Sequence, residues 1–241
     1  MYDSAETDIS YEYLLKLKDK AKSLRWAVIG GWGVFLQAKK EYQKAFGKEY
    51  IKSRDIDVFI DAKYEDAFLK IIKDLGFKES SYKFRYELVY DRDDKKIISS
   101  EKAKERHIFN LIYIFLDVFS NKKAKKLGSW VFPDLDKAEI ENIEGFPVLG
   151  IKPLIDLKIV SFFGREKLDK ELKDACDIYA LLIYSGKKAA LSLNAKKAID
   201  KIISRPDLQD YIAEQVLGDS LKSSLVGVVL RRLILSKTTQ H

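Results

Sequence analysis

Apolar positions along the chain follow a helical period at first, then alternate between strand-like and helical spacing, and finally return to a helical period. Between residues 10 and 24, "SYEYLLKLKDKAKSL" carries Tyr11, Leu14, Leu15, Leu17 and Leu24 at amphipathic-helix spacing. "WAVI" (26–29) reads as a short buried strand. Gly30 and Gly31 turn it into a helix that begins near Trp32 and fades into "KKEYQKAFGKEYIKSR", read as a basic connection. "DIDVFID" (55–61) predicts the next strand, and residues 64–75 predict a helix closed by Gly76, placed for a left-handed cap. "YKFRYELVY" (82–90) and "HIFNLIYIFLDVF" (107–119) predict two further strands, with "DRDDKK" as the turn after the first. From Pro153 nearly everything is helical in period, with Pro153 at a helix start and Gly164 and Gly186 at helix ends. The expected architecture is an α/β (α+β) fold with a mixed sheet over residues 1–150, followed by a helical domain over residues 151–241.

Composition narrows the class. With 241 residues and 46% hydrophobic content the chain can bury a substantial core, which excludes a disordered protein. The net charge of +7, from 44 basic against 37 acidic residues, leaves a modest cationic excess compatible with nucleotides or RNA as partners. The one cysteine, Cys176, lies inside the apolar-periodic run "DACDIYALLIY", reads as a buried small side chain, and leaves no disulfide within the chain. The N-terminus is polar, and the longest apolar run, "LIYIFLDVF", is too short for a bilayer and contains Asp117. A cytoplasmic location without a membrane partner is the expectation.

Chemistry concentrates in three places. A strand ending in Gly30-Gly31 and opening directly into a helix brings backbone close to a ligand and aims the first helical N–H groups at it, which suits a phosphate; a tight packing turn is the plainer alternative. In "DID", Asp55 and Asp57 project from one face of a strand, their Cβ atoms roughly 6 to 7 Å apart, within reach of a shared cation. At ~4 Å, two such carboxylates repel by about 1 kcal/mol in water and ~4 kcal/mol near a protein surface, so either the face is solvated or a cation sits there. Asp117 follows four apolar residues, which places it at the rim or inside of a sheet as a third acid, or as a paired structural aspartate. Asp61 shares parity with Asp57 but lies ~13 Å along the strand, too far for the same cation.

Gly30-Gly31 after a strand, Asp55-x-Asp57 on the next strand and the later acid Asp117 resemble the DNA polymerase β-like nucleotidyltransferase superfamily. The run "LIDLKIVSFFGREKLDKELKDACDIYALL", with Lys158, Arg165, Lys173, Asp174 and Asp177, is similar to the corresponding block of abortive-infection type nucleotidyltransferases, which include toxins of type IV toxin-antitoxin pairs. The likeness covers about residues 26–60, 110–120 and 151–182. It implies a transferase that moves a nucleoside monophosphate from a nucleoside triphosphate to an acceptor hydroxyl with Mg²⁺, as two ions. Asp55, Asp57 and Asp117 would be catalytic and metal-binding, and Gly30, Gly31, Lys158, Arg165, Asp174 and Asp177 would bind nucleotide and phosphate. The preferred acceptor is RNA, in particular tRNA, with an antitoxin protein as a further partner. Lys158 and Arg165 also read as a snorkelling lysine and an arginine paired with Asp169, and Trp32 either stacks on a base or fills the core. Two rival functions stand beside this one: a non-catalytic nucleotide- or RNA-binding protein, and a nucleotidyltransferase acting on a protein or small molecule.

Overall fold

A computed structural model describes residues 3–122, 124, 126–127, 135–187 and 190–236. It divides into a sheet unit, Met1–Gly33 with Lys52–Leu149, and a helical unit, Val34–Ile51 with Gly150–His241.

The sheet unit contains helices α1 (Ser4–Lys20), the first turn of α2 (Gly30–Phe46), α3 (Glu65–Asp74) and the short α4 (Ser100–Ala103). Its strands are β1 (Trp26–Ile29), β2 (Ile56–Ile60), β3 (Lys78–Glu79), β4 (Arg85–Asp91), β5 (Lys96–Ile98), β6 (Leu111–Ser120), β7 (Ile140–Ile143) and β8 (Phe146–Leu149). They form one sheet in the order β3-β4-β6-β2-β1-β8-β7, with β5 added to β4. The sheet is mixed: β2 runs parallel to β6 and β1 parallel to β8, whereas β1/β2, β4/β6 and β7/β8 are antiparallel. α1 buries Tyr13, Leu14 and Leu17, and α3 buries Phe68, Leu69 and Ile72; Trp26 of β1 meets Phe68 with ring centroids 6.0 Å apart. Trp32 fills the core: it is fully buried, its indole N–H donates to the Ser10 hydroxyl at 2.9 Å, and its ring lies 5.2 Å from that of Tyr11.

The helical unit contains the rest of α2 together with α5 (Ile151–Phe163), α6 (Leu168–Tyr184), α7 (Leu193–Ser204), α8 (Pro206–Gln215) and α9 (Ser223–Ser236). Its core joins Ile155, Ile159 and Phe162 of α5 to Ala175, Ile178 and Leu181 of α6, with Ile199, Ile212 and Leu230 from the later helices. Tyr42 of α2 anchors in it, with its ring 5.2 Å from Tyr50 and 5.4 Å from Tyr184 and its hydroxyl donating to the Val216 carbonyl at 2.6 Å.

The mixed α/β fold with C-terminal helices agrees with the sequence reading, and three local expectations are corrected. α1 starts six residues before the apolar period suggested, because the Asp3 carboxylate caps it by accepting from the Ala5 N–H at 3.0 Å. α2 runs on to Phe46 through residues read as a connection, since Tyr42 and Phe46 supply an aromatic face that the surrounding Lys39, Lys40 and Lys44 obscured. The β7–β8 hairpin was not foreseen: its turn residues Glu144 (φ 52°) and Gly145 (φ 82°) both lie in the left-handed region, the geometry that suits a two-residue hairpin, without the usual Asn-Gly sequence.

Candidate active site

Strand register lines up four residues in one transverse row across the sheet. Arg85 of β4 lies opposite Asp117 of β6, Asp117 is aligned with Asp57 of β2, and Asp57 is paired with Ile29, the last residue of β1. Neighbouring strands stand about 4.8 Å apart and aligned residues point to the same face, so Arg85, Asp117 and Asp57 share one face at successive strand spacings. Asp55 is two residues before Asp57 and joins the same face; its carboxylate takes the Arg54 guanidinium at 3.2 Å, with both side chains about a third exposed.

Gly30 explains why β1 ends where it does. Its φ is +60°, and a Cβ added there would come within 2.0 Å of Asp57 Oδ2. Only glycine lets the backbone turn into α2 with the Asp57 carboxylate against it. Gly31 follows, buried, in the first turn of the helix, whose leading N–H groups carry the positive end of the helix dipole.

Asp117 is deeply buried, and its two oxygens are held by a fork: Arg85 Nε donates to Oδ1 and Arg85 Nη2 to Oδ2, both at 2.7 Å. The guanidinium lies 4.9 Å from the centroid of the Phe115 ring, on the residue two before Asp117. Hydrogen bonding to Asp117 holds the Arg85 pKa above its ordinary value, against the opposing effect of burial, with the charges of Asp117, Asp55 and Asp57 adding to it. Among the described residues, no three His, Cys, Asp or Glu side chains are arranged to hold a metal ion together. Asp55 and Asp57 carry hard oxygen donors of the kind a divalent cation takes.

A second cluster lies wholly within the helical unit. Lys158 Nζ of α5 reaches Asp177 Oδ2 at 2.6 Å and Asp174 Oδ1 at 3.2 Å, both on α6. Arg165 Nε meets Asp174 Oδ2 at 2.7 Å, and the Tyr50 hydroxyl donates to Asp177 Oδ1 at 3.1 Å. Lys158, Asp174 and Asp177 are buried, whereas the Arg165 side chain is about a third exposed. Arg165 lies past Gly164, which caps α5, so it does not share a helix face with Lys158; its partner is Asp174 and not Asp169. Burial, with Asp177 nearby, pushes the Tyr50 hydroxyl well above the ordinary tyrosine range, and burial does the same for the Cys176 thiol.

Gly30, Asp55, Asp57 and Asp117 are thus gathered in the sheet unit, and Lys158, Arg165, Asp174 and Asp177 in the helical unit. Asp61 instead caps a 3-10 turn by accepting from the Lys63 N–H, and Asp91 holds the β4–β5 turn by accepting from the N–H groups of Asp93 and Asp94. Arg85 was missed by sequence reasoning. A cation at a half-buried strand position of "YKFRYELVY" was the signal available, and only the register of β4 on β6 gives it a partner.

The family model of aminoglycoside-2''-adenylyltransferase matches residues 13–104, a stretch that includes Gly30, Gly31, Asp55, Asp57 and Arg85; the match indicates the nucleotidyltransferase superfamily and supports nucleotidyltransferase activity. A search of curated proteins returns no match. Among solved structures, JHP933 from Helicobacter pylori is similar with a TM-score of 0.58 at 13% identity, covering 100% of this chain and 96% of that one. The lincomycin-bound lincosamide antibiotic adenylyltransferase LnuA matches with a TM-score of 0.40 at 17% identity over 73% of this chain and 96% of its own. The antibiotic-resistance factor ANT(2'')-Ia matches at 0.39 and 12% identity over 100% and 98%. Among the described residues, no helix is long and apolar enough to cross a membrane.

Proposed function

We propose that the chain transfers a nucleoside monophosphate from a nucleoside triphosphate to an acceptor hydroxyl, using the carboxylate row of the sheet unit. The observation that carries this reading is the Asp57 carboxylate seated against Gly30 at the head of α2, with Asp55 beside it and Asp117 aligned on the next strand. Asp55 and Asp57 would hold Mg²⁺, which when bound offsets the charge of the triphosphate and of the oxygens between which the phosphoryl group passes. Gly30 and Gly31 offer backbone to the phosphates. Asp117, fixed by the Arg85 fork, retains lone pairs with which to accept a hydrogen bond from the acceptor hydroxyl. The hydroxyl oxygen attacks the α-phosphorus, the bond to the bridging oxygen breaks, pyrophosphate leaves, and the hydroxyl proton departs along its hydrogen bond to Asp117.

In the helical unit, Arg165 is the cluster member that reaches solvent, so a phosphate contact is assigned to it, with Lys158, Asp174 and Asp177 holding it in place. Arg165→Ala then weakens triphosphate affinity by calorimetry, and unchanged affinity returns Arg165 to a packing role.

The family description matched by residues 13–104 favours a small polyhydroxylated acceptor. The net charge of +7 favours the second reading, an RNA acceptor such as tRNA, with which a toxin role and an antitoxin partner would stand or fall. The test is incubation with each α-³²P-labelled nucleoside triphosphate and Mg²⁺, with total tRNA in one arm and a set of aminoglycosides and lincosamides in another, beside Asp57→Ala. Label transferred by wild-type protein alone establishes nucleotidyl transfer, and the arm that carries it names the acceptor class. Triphosphate binding without transfer to any acceptor favours the binding-protein alternative.

A further inference from the structure

We propose that Arg85 is a positioning residue for the transfer step: its guanidinium, gripped by the rings of Tyr82, Phe84 and Phe115, sets the plane of the Asp117 carboxylate and determines which of its lone pairs meets the acceptor hydroxyl. The inference rests on the nucleotidyltransferase reading above and deepens it.

The grip begins in the backbone. Arg85 stands where a turn enters β4: its N–H donates to the Tyr82 carbonyl at 2.9 Å, and its carbonyl accepts from the Ser80 N–H at 3.1 Å. The Tyr82 N–H donates to the Ser80 hydroxyl at 3.1 Å, so the turn closes on itself. The Phe84 carbonyl accepts from the Val118 N–H at 2.8 Å, which carries the pairing of β4 with β6 past Arg85 on that side. The guanidinium carbon of Arg85 then lies 6.0, 5.9 and 4.9 Å from the ring centroids of Tyr82, Phe84 and Phe115. Three rings within cation–π range hold a long, otherwise pliant side chain in one place. Phe84 is itself stacked on Phe119 with 5.7 Å between centroids, and Phe115 and Phe119 flank Asp117 along the same face of β6. The rings and the ion pair form one assembly within the sheet unit.

The consequence for Asp117 follows from the fork. Each carboxylate oxygen has two lone pairs in the plane of the group. Arg85 Nε and Nη2 approach Oδ1 and Oδ2 side by side at 2.7 Å, which sets the guanidinium in front of the carboxylate and takes one lone pair from each oxygen. The remaining pair on each oxygen points to the flank. Rotation about the Cβ–Cγ bond, a freedom that aspartate ordinarily keeps, would break both hydrogen bonds, so the flank directions are fixed. The acceptor hydroxyl is therefore met from the side of the carboxylate. A lysine at this position would keep the charge and lose the fork.

The test compares kcat and KM of the full chain for transfer to the acceptor class that the labelling experiment names. Arg85→Ala is expected to lower kcat about 10²-fold, the scale of a misplaced reacting group, with KM for the triphosphate unchanged. The Arg85 side chain is about a third exposed, so a free guanidinium ion can enter the space the variant leaves. Guanidinium chloride, far below the concentrations that unfold proteins, is expected to restore part of kcat without stimulating the wild type, and urea, alike in shape but uncharged, to restore none. Arg85→Lys is expected to stay well below the wild type. Phe115→Leu, which removes the nearest ring and leaves the fork, is expected to fall severalfold in kcat alone. An unchanged kcat in Arg85→Ala overturns the proposal and leaves the transferase reading intact, as does a loss that guanidinium relieves no better than urea. Where Arg85→Ala fails to fold, Arg85→Lys carries the test, and a wild-type kcat in it overturns the proposal. Absence of transfer by the wild type to every acceptor overturns the transferase reading and the proposal with it.

Discussion

Each unit of this chain brings aspartates against basic side chains, and the two clusters differ in how far they are buried. In the helical unit two carboxylates meet one lysine and one arginine, a tyrosine hydroxyl completes the hydrogen bonding, and all but the arginine are buried. In the sheet unit three carboxylates meet two guanidiniums at partly open strand ends. The first cluster is balanced and closed, which is the arrangement that lets buried charges survive away from water. In the second, the side chains of Arg54, Asp55 and Arg85 each keep about a third of their surface exposed, so its charges stay within reach of a solute. Two groups of aspartates that look equally suggestive in sequence are separated by how far the fold buries them with their partners.

The largest expected effect is on the sheet side of this comparison. Asp57→Asn is expected to lower kcat/KM for nucleotidyl transfer by at least ~10³-fold, the scale of losing an electrostatic group that acts in the transition state, while its melting temperature without metal stays level or rises because repulsion with Asp55 is relieved. Activity within tenfold of the wild type would move the chemistry off this row. On the helical side, Lys158→Met leaves two buried carboxylates short of a cation and is expected to cost about 3–5 kcal/mol in urea unfolding. Adding Asp174→Asn and Asp177→Asn to it should recover part of that loss. A cost under ~1 kcal/mol for Lys158→Met alone would mean that the cluster is not closed.

A smaller effect separates backbone strain from close approach. Gly47 and Gly30 both have positive φ, 68° and 60°, but a Cβ at Gly47 has no heavy atom within 4 Å, whereas one at Gly30 meets Asp57. Gly47→Ala is therefore expected to lose about 1 kcal/mol from strain alone, and Gly30→Ala to lose more, roughly 1–3 kcal/mol, together with triphosphate binding measured by calorimetry. Equal losses and intact binding in both variants would remove the contact of Gly30 with Asp57 from the argument.

The last effect is gradual and concerns pH. Burial raises Tyr42 to about 12, with Tyr184 and Cys176 adding to it, and raises Tyr86 to about 12, with Glu79 and Glu65 adding; the buried Cys176 thiol is also pushed well up. In the unfolded chain these groups ionise near pH 8.5 for cysteine and about 10 for tyrosine, so that state binds fewer protons above those values and stability falls as pH rises, by about 1.4 kcal/mol per unit for each group. The contribution is fully present below pH ~8.5. Cys176 lies in the helical unit and Tyr86 in the sheet unit, so alkaline loss should begin in the helical unit at about pH 9 and reach the sheet unit nearer pH 10. Trp26 and Trp32 fluorescence follows the sheet unit, since neither segment of the helical unit contains tryptophan, and helical circular dichroism read beside it tests the order. Simultaneous loss of both signals would couple the two units into one transition.

The sequence by itself determined what local pattern can carry. The period change near residue 150, the strands at 26–29 and 55–61, the Gly76 stop and the parity of Asp55 and Asp57 all follow from side-chain spacing and backbone preference within a few residues. It did not extend to the β7–β8 hairpin, to the full length of α2 or to Arg85. Those depend on partners far along the chain: β1 for β8, Val216 and Tyr184 for Tyr42, and Asp117, 32 residues on, for Arg85. Only the tertiary structure decided which basic group each carboxylate meets and how deeply the pair is buried. The charge state of an aspartate depends on the groups that pack around it, and strand register and helix packing, with no signature in any short stretch of sequence, bring those groups within hydrogen-bonding distance.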